Sequence, residues 1–117
     1  VRMPQNTPDE QRLRHEKMQA GLKSAIKIPL NSMRLGDCAW NSFMEVARFG
    51  NPASRSDTLV GARALEVGIW GAYQNVLINM EDIEDEQFKE EILHEAQMLT
   101  DRAEQECRKI LDILGAA

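Results

Sequence analysis

Apolar residues recur along this chain at helical steps, and the pattern predicts helices and no sheet. The first helix is announced by Thr7 and Glu10, which have the spacing of a capping box, with Pro8 at the first helical position. Leu13, Ala20, Leu22, Ala25 and Ile28 then supply its apolar positions, while Arg12, His15, Glu16, Gln19 and Lys23 supply polar surface. Pro29 lacks a donor and restricts Ile28, so it is expected to interrupt or kink this run. A second helix is expected from about Leu30 to Phe49, with close packing or a slight bend at Gly36 and a left-handed stop at Gly50.

Residues 50–57 form the richest turn signal in the chain. The third helix should start at Ser56 or Asp57 and run to Asn79. It carries Gly61, Ala64, Gly68, Gly71 and Asn75 at steps of three and four, a narrow stripe that a neighbouring helix can approach closely. Leu59, Val60, Leu65, Val67, Ile69, Trp70, Tyr73, Val76, Leu77 and Ile78 surround that stripe, so the helix is expected to be central and the most buried. After an acidic connection from Met80 to Glu86, a fourth helix from about Asp85 to Leu114 presents Phe88, Ile92, Ala96, Leu99, Ala103, Cys107 and Ile110 along one face. The reading is all-α: an antiparallel bundle of about four long helices, completed by oligomerisation.

With 117 residues, 43% of them hydrophobic, the chain fits one domain with a modest core. The net charge of −5 is unevenly spread: residues 1–80 hold seven acids and ten bases, residues 81–112 twelve acids and four bases. That acidic segment opposes broad nucleic-acid binding. Glu66 interrupts the long central apolar run, which argues against a membrane span. Cys38 and Cys107 form no CxxC pair, and their spacing to His15 and His94 supports no metal site. Two reduced, half-buried thiols in a cytoplasmic protein are expected.

The candidate chemistry lies around the third helix. Asn51, Ser54, Ser56 and Asp57 surround its start, where exposed backbone N–H groups can hold a carboxylate, a phosphate or a polar ring edge, and Arg63 and Glu66 follow. The plainer alternative has Ser56 or Asp57 capping the helix and Asn51 taking a left-handed turn. Glu66, if buried, needs a partner or a raised pKa, the means by which a fold makes an acid–base group. Asn75 and Asn79 share a side, and either tie neighbouring backbones together or address a polar heterocycle. No triad context, phosphate loop or aromatic-basic alternation stands beside them.

Four separated stretches carry a resemblance: Ile28-Pro29-Leu30; Gly50-Asn51-Pro52-Ala53-Ser54-Arg55-Ser56-Asp57; Gly71-Ala72-Tyr73-Gln74-Asn75-Val76-Leu77-Ile78-Asn79; and Asp82-Ile83-Glu84-Asp85-Glu86-Gln87-Phe88-Lys89. In this order they resemble the C-terminal half of the formimidoyltetrahydrofolate cyclodeaminase family, whose relatives include a methenyltetrahydrofolate cyclohydrolase. The resemblance implies an all-helical domain whose first half, with part of the active site, precedes this chain. It further implies dimers, and closure of 5-formimidoyltetrahydrofolate to 5,10-methenyltetrahydrofolate with loss of ammonia. On that reading Asn51, Ser54, Ser56, Asp57, Arg63, Asn75 and Asn79 bind a tetrahydrofolate substrate, with no prosthetic group and no metal, and the catalytic acid is unassigned. The competing reading is a non-catalytic helical oligomerisation module.

Overall fold

The structure is a computed structural model and describes residues 7–116. Among these it contains α1 (Pro8–Asp37), α2 (Trp40–Phe49), a single 3-10 turn (Pro52–Ser54), α3 (Arg55–Met80) and α4 (Glu86–Ile113), with no strand. The all-α expectation holds, with three long helices and one short one.

The first helix boundary differs from expectation. α1 continues past Pro29 to Asp37, and the break falls at Cys38 and Ala39. A proline inside a helix costs about 3 kcal/mol. Here the carbonyl it deprives belongs to Ala25, which is exposed beside an open groove. Ile26, Leu30 and Met33, on one face of the same turns, are fully buried. Their packing holds the helix together across the proline. The turn at 38–39 then swings the chain so that Trp40 enters the core with no solvent exposure.

The buried face of α1 is also rotated from the expected one. Leu13 and Ile28 are exposed, Ala20 and Ala25 as well, and only Leu22 packs against the core. Other ends obey local rules. The Thr7 hydroxyl accepts from the Glu10 N–H at 3.1 Å, and the Asp85 carboxylate accepts from the Phe88 N–H at 3.1 Å, so both caps satisfy otherwise orphaned donors. Gly50 has φ −73°, which is not left-handed. A side chain there would collide with the Val46 carbonyl, so crowding is what demands glycine.

Helix directions follow from the cross-links. His15 meets Glu84 at 2.6 Å, and the Gln19 side chain donates to the Asp82 carbonyl at 2.9 Å while accepting from the Glu84 N–H at 3.0 Å. The start of α1 therefore clasps the acidic connection at the end of α3, making α1 and α3 antiparallel. Lys23 to Asp85 (2.7 Å), Arg34 to Glu95 (2.5 and 2.6 Å) and Asp37 to Arg102 (2.9 Å) advance together, so α1 and α4 run parallel. Tyr73 donates to Gln97 at 2.7 Å and Arg55 to the Leu114 carbonyl at 2.8 Å, so α3 and α4 are antiparallel. The opposite charge balances of the two parts of the chain thus meet across α1 and α4.

α3 touches all the other helices, as expected of a central element. It is not, however, buried on every side. The slab measures 68 × 30 × 17 Å, its depth about one and a half helix diameters. Its radius of gyration is 20.0 Å, against about 13 Å for a compact chain of similar length. Val60, Val67, Trp70 and Ile78 on α3 are more than half exposed. Of the glycine stripe, Gly61 packs against the Phe43 ring, while Gly68 and Gly71 face open space within this chain. Close helix approaches occur at Gly61, where an added Cβ would lie 2.8 Å from the Phe43 ring, and at Gly36, where it would lie 2.9 Å from Ile69 Cγ1.

Gly36→Val should therefore destabilise the chain by about 1–3 kcal/mol through overpacking. Gly21→Ala, at an open helical position, should stabilise it by about 0.5–1 kcal/mol. Thermal unfolding of both variants checks this, and a stable Gly36→Val protein would contradict the close approach. The carboxyl of Glu95 is held below the usual carboxylate range by its bond to Arg34, and that of Asp85 by Lys23 and then by the Phe88 N–H. Both pKa values are depressed on folding, so their stabilisation is present above the unfolded values of about 4 and is lost as pH falls through the lower folded values. Unfolding temperatures taken across the acid range should fall less steeply for Glu95→Gln than for the parent, and parallel curves would contradict the assignment.

Candidate functional site

The loop before α3 is shaped by local bonds. Asn51 Oδ1 accepts from the Ala53 N–H at 2.9 Å, and Ser54 N–H donates to the Asn51 carbonyl at 2.8 Å, which closes the 3-10 turn. Asn51 has φ −65°, so the left-handed conformation allowed by its sequence position is not used. α3 then starts at Arg55 rather than at Ser56 or Asp57, and Ser54 occupies its cap position without a side-chain capping bond. Its carbonyl accepts from the hydroxyl of the buried Thr58 at 2.9 Å. Ser56 and Asp57 lie exposed in the first turn of α3, so neither is the cap. Asp57 sits among the N–H groups of a helix start, a place that favours negative charge.

One helical turn and a half further on, Arg63 pairs with Glu66 at 3.3 Å. The Arg63 side chain is 62% exposed and that of Glu66 only 21%. Glu66 lies on the α4 side of α3, near enough to the Cys107 thiol for its charge to act on it. Burial first, and then the charge of Glu66, pushes that thiol pKa up, so Cys107 is a neutral core group rather than a nucleophile. Cys38, in contrast, is exposed, so the two thiols are not equivalently half-buried.

Glu66 also lines a cleft between α3 and α4 of about 170 Å³ with Trp70, Thr100 and Glu104, and an adjoining one of about 390 Å³ with Arg63, Glu104 and Arg108. Thr100, Glu104 and Arg108 were absent from the sequence-derived set. Their four-residue spacing on α4 was the available signal, and it merges with the packing stripe that it flanks.

Asn75 and Asn79 lie near the other end of α3. Asn79 donates to the Asn75 carbonyl at 2.8 Å, a bond within the same helix. They do not tie neighbouring backbones together among the described residues. Both line an open groove of about 450 Å³ between α1 and α3, with Ile28, Pro29 and Ser32. From Asp57 to Asn75 is about 27 Å along the helix at 1.5 Å per residue. The structure therefore gathers Asn51, Ser54, Ser56, Asp57 and Arg63 toward one end of α3 and Asn75 and Asn79 toward the other, and does not join the two groups in one pocket. No group of three or more His, Cys, Asp or Glu able to hold a metal ion occurs among the described residues, and no helix there is long and apolar enough to cross a membrane.

Comparison with known proteins places these features in a family. Residues 1–98 match the family described as Formiminotransferase-cyclodeaminase. The chain belongs to the formiminotransferase-cyclodeaminase family. It is 44% identical over 94 residues to a formimidoyltransferase-cyclodeaminase of Dictyostelium discoideum, covering 80% of this chain and 18% of that protein. With the formimidoyltransferase-cyclodeaminase of Rattus norvegicus it shares 38% identity over 116 residues, 99% of this chain and 21% of the relative. A methenyltetrahydrofolate cyclohydrolase of Methylorubrum extorquens is 33% identical over 97 residues, 83% of this chain and 47% of that protein. The chain thus spans about a fifth of the length of the first two relatives and about half of the third. Family membership agrees with the resemblance carried by the four sequence stretches.

Proposed function

We propose that this chain is the C-terminal part of a cyclodeaminase domain that closes 5-formimidoyltetrahydrofolate to 5,10-methenyltetrahydrofolate with release of ammonia. The observation that carries this reading is the 38% identity that extends over 99% of the chain to a protein named formimidoyltransferase-cyclodeaminase. In this reaction N10 of the folate attacks the formimidoyl carbon, a new carbon–nitrogen bond forms, and the bond to the departing amine breaks. A proton must reach that amine. The protein's tasks are to hold the folded-over substrate and to supply the proton, and water must be kept from the methenyl product.

Several features of the chain support a share in those tasks. The first turn of α3, which holds Asp57, offers N–H donors to a polar ring edge or a carboxylate, and Arg63 adds positive charge about one and a half turns further on. Asn75 and Asn79 place two carboxamides in an open groove, donors and acceptors suited to a pterin edge. The distance between these groups means that the substrate site takes further walls from outside this chain, either from the rest of the domain or from a second copy. The general acid is assigned to no residue here. The reading includes a cytoplasmic homo-oligomer, with tetrahydrofolate substrate and no prosthetic group.

A second reading rests on the match to the methenyltetrahydrofolate cyclohydrolase, in which water, not an amine, is the partner of the methenyl carbon. A non-catalytic helical module is the third. Ammonia release and methenyltetrahydrofolate formation, measured for the chain alone and with the complementary half of the domain, separate them. The proposal expects little turnover alone, recovery on assembly, and a further loss of about tenfold or more for Asp57→Asn with stability unchanged within about 0.5 kcal/mol. Full activity of the chain alone would overturn the partial-domain reading. Hydrolysis without deamination would favour the cyclohydrolase, and no folate binding after assembly the helical module.

A further inference from the structure

The cleft between α3 and α4 carries polar groups that the reaction proposed above does not use. Its first compartment, of about 170 Å³, is lined by Glu66, Glu104, Thr100 and Trp70, with no basic side chain among the described residues there. The adjoining compartment, of about 390 Å³, shares Glu66 and Glu104 and adds Arg63, Arg108 and Asp112. Negative charge therefore stands alone at one end of the cleft, and positive charge enters only at the other. Thr100 is 7% exposed, and its hydroxyl finds no hydrogen-bond partner among the described residues. A buried hydroxyl without a partner costs free energy, so it calls for a group that the folded chain does not supply. Glu104 and Arg108 stand four apart on α4, where opposite charges commonly pair. Neither side chain makes an ion pair or a hydrogen bond among the described residues. Arg63, by contrast, is already engaged by Glu66 at 3.3 Å.

We propose that this cleft binds a small zwitterion with a primary ammonium group at one end and a carboxylate at the other. A primary ammonium carries three donors, and Glu66, Glu104 and the Thr100 hydroxyl offer it three acceptors. The Trp70 indole beside them is the aromatic surface that attracts a cation most strongly. Arg108 lies about 6 Å along α4 from Glu104 and takes the carboxylate in a charge-assisted bond. Three methylene groups between nitrogen and carboxyl carbon span roughly 5 Å with bonds of about 1.5 Å, which matches that step. A bare cation would leave Arg108 without a partner, and a bare anion would meet Glu66 and Glu104. Asp112, beyond Arg108, disfavours a second carboxylate on the ligand. This recognition draws on neither Asp57 nor Asn75 and Asn79, so it stands apart from the cyclodeaminase reading.

The probe is 4-aminobutyrate, with butylamine and butyrate as controls that each lack one end. Trp70 is 55% exposed and Trp40 fully buried, so the indole N–H resonance of Trp70 reports binding and that of Trp40 is the internal reference. For a few charge-assisted bonds in an open cleft the expected Kd is on the order of 1 mM, with each control at least about tenfold weaker. Thr100→Val deletes the orphaned hydroxyl and nearly keeps its shape. It should weaken 4-aminobutyrate about tenfold without lowering the unfolding temperature, since no bond within the protein is lost. Arg108→Gln should bring 4-aminobutyrate down to the level of butylamine and leave butylamine unchanged. A Trp70 resonance that stays still at about fifty times the expected Kd would overturn the site. So would butyrate binding as well as 4-aminobutyrate, or parental affinity in Thr100→Val. The same titration in a single chain joined to the complementary half of the domain should give the same order of affinities. Loss of binding there would show the cleft filled by protein, and would overturn the site as well.

Discussion

A helix that is apolar around most of its circumference must be covered around most of its circumference, and α3 is such a helix. Its neighbours cover it on part of that circumference only. Ile69 and Val76 reach the core, and Gly36 lets α1 come close enough to touch Leu65 and Ile69. On the opposite side Val60, Val67, Trp70 and Ile78 remain more than half exposed among the described residues. The thinness of the slab, the open space at Gly68 and the division of the candidate site into two ends all follow from that one-sided cover.

Electrostatics organises what packing leaves free. Lys23, Arg34 and Asp37 on α1 find partners on α4 or its cap, and His15 and Gln19 clasp the connection between α3 and α4. Most of these pairs are partly exposed, where each contributes little by itself. Their effect is to set direction and register, since a shift of α1 by one turn would separate all of them together. The bases of the first part of the chain and the acids of the last are therefore a complementary pair of surfaces within one molecule.

How much of this was legible in the sequence depended on whether a local rule decided the outcome. Thr7 and Asp85 cap their helices as local chemistry dictates, and the extent of α4 was readable from its long stripe. The helix boundary after Pro29 and the left-handed stop at Gly50 were misread because tertiary context prevailed. The packing of Ile26, Leu30 and Met33 carries α1 past the proline, and crowding at the Val46 carbonyl, not a positive φ, requires the glycine. The rotation of α1 was invisible because both Ile26 and Ile28 are apolar, and only the arrangement of α3 and α4 decides which one is buried. At the candidate site the residue types were legible, whereas the 27 Å scale that separates Asp57 from Asn75 follows from the unbroken helix between them. Glu66 gained meaning only when α4 brought the Cys107 thiol and Glu104 to it.

The central claim is that the exposed side of α3 is covered by protein in the working domain. Amide hydrogen exchange along positions 64–75, compared between this chain alone and a single chain joined to the complementary half, tests it most directly. The account predicts marked slowing at these positions in the joined chain, with the amides of α4 that already face α3 changing little. Equal exchange at positions 64–75 in both states would show that the side of α3 around Gly68 remains open, and would contradict the account.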